Sequence, residues 1–199
     1  MKSKTLSVQN ITRIGVLAGL SVVLMLFEIP LFFAPPFLKF DFAEVPALLG
    51  SYAMGPGAGF AIVAVKVLLN LVVDGTTTAF VGELSNLVVN GTFIVTAGWY
   101  YKRNRTFKGA IQSMIIAVLA MTLVATLSNY FVMFPLYARL YMPMDQILKL
   151  SSSVNPWVHD YFTLMVFTVV PFNIVQGTIT SIVTTLIYPR VSHLLKLKD

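Results

Sequence analysis

Apolar residues run along this chain in blocks of roughly 18 positions or more, separated by short polar or proline-containing stretches, and a helix needs about 20 such residues to cross hydrocarbon about 30 Å thick. The first block predicts a helix over Ile11–Phe33, stopped by Ala34-Pro35-Pro36 because consecutive prolines remove backbone donors and force an extended path. Residues Phe37 to Glu44 read as a loop that mixes Phe37, Phe40 and Phe42 with Lys39, Asp41 and Glu44. A short second helix is expected from Pro46 to Met54, a third over Phe60–Val73 and a fourth over Phe80–Tyr101, with Asp74-Gly75 turning the chain between the last two. The fifth, Gly109–Tyr141, is longer than one crossing requires and so is expected to tilt or project. Met142 to Asp160 has the look of a surface lid carrying a short amphipathic piece, Asp145 to Leu150, and a sixth helix fills Tyr161–Tyr188 until Pro189 ends it. Gly55-Pro56-Gly57-Ala58-Gly59 predicts a tight turn; it lacks the Lys-Ser/Thr ending that a phosphate-cradling loop needs.

Composition turns this pattern into a class. With 57% hydrophobic and 11% charged residues over 199 positions, and a mean hydropathy of +0.81, the chain reads as an all-α integral membrane protein, one domain over 1–199. Its first apolar block is long and lacks a small-residue cleavage site, so it is read as a retained helix. The net charge of +6 does not imply nucleic acid, because the basic residues sit at the ends of apolar runs. Lys2, Lys4 and Arg13 precede the first run, Lys102, Arg103, Arg105 and Lys108 separate the fourth from the fifth, and Arg190, Lys196 and Lys198 close the chain. That distribution places both termini on the cytoplasmic side of a bacterial cell membrane, with an even number of crossings, and leaves Asp41, Glu44, Asp74, Asp145 and Asp160 outside. No internal repeat supports an inverted-repeat carrier.

Polar residues inside the apolar blocks are costly and face protein or a cavity. Most are carboxamides at helical spacing: Lys66 and Asn70 on the third helix, Glu83, Asn86 and Asn90 on the fourth, Asn129 on the fifth, and Asn173, Gln176 and Thr180 on the sixth. Amides also tie membrane helices together. Stripes on four helices nevertheless suit a shared pocket for an uncharged heteroaromatic edge, since each amide offers one acceptor and two donors. Lys66 has two readings, contact with a polar tail or phosphate of a ligand, or a structural part in snorkelling to a surface or pairing with an acid such as Asp74. Gly15 and Gly19 form a small-xxx-small surface for either a helix of this chain or a separate membrane subunit.

Other chemistries find little footing. The chain has no cysteine, His159 and His193 have no partner at metal-ligand spacing, and Ser85, Ser128 and Ser181 lie in no nucleophile motif. Neither an enzyme nor a resident cofactor or metal is expected. The absence of a phosphate loop also means that the chain cannot hydrolyse ATP itself, so any uphill transport draws on an external energy source.

The run Phe40-Asp41-Phe42-Ala43-Glu44-Val45-Pro46-Ala47-Leu48-Leu49 before Gly55-Pro56, the Lys66/Asn70 pair, Ser128-Asn129-Tyr130-Phe131 before Pro135-Leu136-Tyr137, and Pro171-Phe172-Asn173-Ile174 together resemble the riboflavin-binding S components of energy-coupling factor (ECF) transporters. The resemblance covers essentially the whole chain. It implies a six-transmembrane-helix S-component bundle with an outward pocket for the isoalloxazine ring, gated by the first-to-second-helix loop that carries Phe40 and Asp41. By position, Asn129 and Asn173 are implied to bond the flavin pyrimidine edge, while Gln176 stands where a relative is expected to have lysine. Lys66, Asn70, Asn86 and Asn90 complete the expected substrate-binding set. Gly15 and Gly19 are implied to dock on a shared T subunit, with two ATPase subunits driving import. A different vitamin on the same scaffold, or a small self-sufficient carrier, are the alternatives.

Overall fold

The structure is a computed structural model that describes residues 8–76 and 78–195, with side chains to 190. Seven continuous helices occur among the described residues: α1 (Val8–Met25), α2 (Glu44–Met54), α3 (Pro56–Val73), α4 (Val81–Arg103), α5 (Phe107–Leu140), α6 (Met144–Val154) and α7 (161–195). Four of them, α1, α3, α5 and α7, are long and apolar enough to cross a membrane. Helix α4 has the length, 23 residues, but Glu83, Asn86, Asn90, Lys102 and Arg103 lower its hydropathy. The basic residues before 8 and after 190 lie outside the side chains described.

Several boundaries differ from the sequence expectation, each for a local reason. Helix α1 ends at Met25, eight residues before Phe33, and Ile29–Pro30 instead pairs antiparallel with Lys39–Phe40. A residue before proline is pushed out of helical backbone, so Ile29 is extended and the apolar run beyond it joins the loop. In the glycine-rich segment only Gly55 makes the turn, at φ 100°, and Pro56 opens α3 at a first-turn position where its missing N–H costs nothing. Pro189 lies inside α7 and does not end it. The expected lid is largely helical, and α6 takes in Ser151-Ser152-Ser153, whose hydroxyls bond back to carbonyls three or four residues earlier.

Helix α4 packs between α3 and α5, α5 against α7, and α2 against α1, α3, α4 and α7. The lower half of the bundle is one apolar cluster from Ile14 and Ala18 to Tyr52, Phe93, Ile94 and Tyr188. A second cluster, with Val81, Phe134, Ile147, Leu164 and Val169, fills the opposite half beneath α6. Val16, Leu68, Val72, Leu119, Leu123, Ile182 and Leu186 point outward. A bundle with apolar residues both inside and outside is built for lipid as its solvent.

Candidate functional site

The walls of the site start from two prolines. Pro135 in α5 and Pro171 in α7 have no N–H to give the carbonyls four residues back, and each follows a single π turn, Asn129–Met133 and Met165–Val169. Carbonyls beside these turns accept from side chains: Phe167 lies four residues before Pro171 and Tyr130 five before Pro135, while Asn129 also takes the Phe134 N–H. Asn155 Nδ2 reaches the Phe167 carbonyl at 2.9 Å, and the Tyr161 hydroxyl bonds those of Asn129 at 3.1 Å and Tyr130 at 2.6 Å. The amide stripes sit at these distortions, with Asn129 opening the first π turn and Asn173 lying four residues past the end of the second. Asn129 Nδ2 donates to the Ala125 carbonyl and Asn173 Nδ2 to the Val169 carbonyl, both at 2.8 Å.

Between the two apolar clusters lies a cavity of about 180 Å³ into which α4 brings Asn86 and Asn90, α5 brings Asn129, and α7 brings Asn173 and Gln176. Five of the expected carboxamides, from three helices, thus meet in one space. The α1–α2 loop closes its outer side with Phe37, Lys39 and Asp41, and Gln176 Nε2 donates to the Asp41 carbonyl at 3.4 Å. Beyond the loop an outer cavity of about 430 Å³, reaching Asn70, Asp74, Glu83 and Tyr141, shares Asn86, Asp41 and Phe37 with the inner one. The polar atoms are poorly matched within the protein itself: Gln176 Oε1 is buried without a partner.

Asp41 is 9% exposed, and burial pushes its carboxyl up from 3.8 to about 6, against the lowering pull of Lys66 and with Glu44 adding to the rise. Its side chain accepts the Ala43 N–H at 2.8 Å. Phe40 is buried but does not line the cavity; it packs edge-to-face on Phe42, and Phe37 takes the lining position.

Lys66 follows the reading in which it pairs with an acid, but the acid is Glu44 and not Asp74. It lies fully buried, paired with Glu44 and donating to Asn86 Oδ1 at 2.8 Å, so neither Asp74 nor the cavity receives it. The two charges lie behind the amide wall. Thr180, one turn past Gln176, is also buried away from the lining, its hydroxyl unpartnered. Ser85, Val89 and Phe172 line the cavity although none of them was among the expected substrate-binding residues. Their signal is positional, as Ser85 and Val89 flank the Asn86/Asn90 stripe and Phe172 precedes Asn173.

On α1, Gly15 and Gly19 face open space: a Cβ built on either would meet nothing within 4 Å. Neighbouring Ala18 is fully buried against the bundle. Internal packing therefore does not account for the small-residue pair. No group of acidic or histidine side chains able to hold a metal occurs among the described residues, and the His193 side chain lies outside them.

Comparison with known proteins agrees with this architecture. A model of the ECF transporter substrate-specific component matches residues 9–188. The chain is 34% identical over 188 residues to the riboflavin transporter RibU of Staphylococcus aureus, covering 94% of this chain and 93% of that protein. It is 29% identical over 187 residues to the riboflavin transporter FmnP of Bacillus subtilis, covering 92% of each. Among solved structures, the S component of a bacterial ECF transporter superposes with a TM-score of 0.73 at 32% identity, over 95% of this chain and 98% of that one. A multi-pass helical bundle with an amide-lined cavity, matched along nearly its full length, belongs to the substrate-specific components of ECF transporters, a family of transport subunits and not of enzymes.

Proposed function

We propose that this chain captures riboflavin from outside the cell and delivers it inward in complex with an ECF T subunit and two ATPase subunits. The observation that carries the reading is the convergence of Asn86, Asn90, Asn129, Asn173 and Gln176 in one cavity between the loop and α7. Buried amides with unmet hydrogen-bonding capacity are costly in hydrocarbon, and a neutral heteroaromatic guest offsets that cost. The riboflavin transporters among its relatives favour a flavin as that guest.

In this reading Asn129 and Asn173 hold the pyrimidine edge, Gln176 supports them without a charge, and Asn86, Asn90 and Asn70 lead toward the outer cavity and the hydroxylated tail. Asp41 sits on the gate loop and Phe40 braces that loop from behind. Helices α1 to α5 and α7 make six crossings, with α6 lying as a lid on the outer surface and both termini cytoplasmic, where the basic loop between α4 and α5 also belongs. The open Gly15/Gly19 face of α1 docks the T subunit, a surface on which another helix approaches closely.

Purification in detergent followed by mass spectrometry of the bound small molecule tests the reading directly. Riboflavin at near-stoichiometric amounts supports it, whereas a different vitamin relocates the chain within its family. Uptake into liposomes containing this chain alone, without ATP, contradicts the dependence on partner subunits.

A further inference from the structure

An amide is a selective ligand only when its oxygen and nitrogen ends are held in a known sense, and here the neighbours hold them by chemical necessity. A backbone carbonyl only accepts, so the amide ends bonded to Ala125 and Val169 are the NH2 groups of Asn129 and Asn173. Their oxygens are the ends left over. Gln176 is held in the same sense: Nε2 donates to the Asp41 carbonyl and Oε1 has no partner. Asn86 is reversed. A lysine ammonium only donates, so the end bound to Lys66 is Oδ1, and the NH2 of this half-buried side chain remains for the cavities that it lines.

We propose that Lys66 is a positioning residue that sets substrate specificity by fixing the orientation of the Asn86 amide. Lys66 itself touches no ligand. Its ammonium, held in place by Glu44, turns Asn86 so that a donor faces the guest, while Asn129, Asn173 and Gln176 present acceptors. The site is thereby polarised at Asn86, where a guest must offer an acceptor between the inner and outer cavities, while toward α5 and α7 it meets free oxygens together with the second N–H of each amide. This rests on the riboflavin reading of the cavity.

The test exploits the isosteric change Asn86→Asp. Aspartate keeps an acceptor for Lys66 and replaces the cavity-facing NH2 by an oxygen, so riboflavin affinity measured by fluorescence quenching falls about tenfold or more, one lost buried hydrogen bond. Retained affinity in Asn86→Asp overturns the proposal, because it means that an acceptor already served there. The double variant Lys66→Met/Glu44→Gln removes the anchor without leaving an isolated charge. It is expected to weaken riboflavin while leaving lumiflavin, which has the ring and no ribityl tail, nearly unaffected; equal loss for both flavins assigns Lys66 a merely structural part and rejects positioning. A wild-type chain that binds no flavin fails the riboflavin reading alone. The orientation of Asn86 is then read without ligand, from the side-chain 15N–1H amide pair in asparagine-labelled protein. A pair shifted by the double variant sustains the anchor, and an unshifted pair refutes it.

Discussion

Replacing Lys66 by methionine should destabilise the isolated chain severely, and replacing Glu44 as well should undo most of the damage. Both partners are essentially inaccessible, Lys66 at 0% and Glu44 at 1%. Loss of one partner therefore leaves the other charge without compensation in low dielectric, a cost of about 3–5 kcal/mol or roughly 10²- to 4 × 10³-fold in the folded-to-unfolded ratio. Lys66→Met also takes the donor from Asn86 Oδ1. The double variant Lys66→Met/Glu44→Gln removes both charges together, and buried pairs exchanged for neutral groups of similar volume commonly come within about 1 kcal/mol of the original or exceed it. Denaturant unfolding in detergent, followed by tryptophan fluorescence for the two single variants and the double, gives the coupling energy. The exposed Lys39–Glu28 pair, 48% and 40% accessible, serves as control, and Glu28→Gln should cost at most about 1 kcal/mol. Single changes at Lys66 and Glu44 that cost no more than the control would refute the reasoning, because the pair would then be solvated in the working protein.

Further outcomes follow from the same geometry. The raised carboxyl of Asp41 means that the folded state binds a proton more tightly than the unfolded one, so the contribution of Asp41 to stability is fully present below 3.8 and is lost as pH rises through about 6. Going from pH 5 to 8 should therefore loosen the α1–α2 loop by roughly 1.4 kcal/mol, because part of the contribution is already lost at pH 5, and Asp41→Asn should flatten that dependence in hydrogen exchange of residues 37–43. Gly15→Leu should leave the melting temperature of the isolated chain unchanged or slightly raised, since glycine costs a helix roughly 0.5–1 kcal/mol, while abolishing co-purification with the T subunit. Gly59→Leu should destabilise the isolated chain by about 1–3 kcal/mol, because a Cβ there already meets Ser51 and Ile94 side chains at 2.5 and 2.6 Å; an unchanged melting temperature would show that α2, α3 and α4 do not pack as described.

The amide stripes were legible because their spacing of three and four survives in helices whatever the tertiary fold, and Asn86, Asn90, Asn129, Asn173 and Gln176 do share one cavity. That Lys66 pairs with an acid was legible, but which acid was not, because spacing cannot reveal a partner 22 positions away in the chain, and Glu44 looked like one more acid of an exposed loop. The end of α1 was hidden by the continuing apolar run Ile29 to Phe33, where Pro30 and the pairing with Lys39–Phe40 outweigh hydrophobicity. The π turns leave no periodic mark of their own. Their trace is Pro135 and Pro171 inside long apolar blocks, each shortly after the π turn that its missing N–H accompanies. Pro189 shows the limit of that signal, since the helix continues through it.

The central claim is that the carboxamides meeting in the cavity hold one neutral guest, and riboflavin titration of Asn129→Ala and Asn173→Ala beside the wild-type chain tests it most directly. Each variant loses a buried hydrogen bond of about 1–3 kcal/mol, so each should bind riboflavin about 5- to 150-fold more weakly with its fold intact. Wild-type affinity in both variants would mean that these amides only tie helices together and that the ligand sits elsewhere.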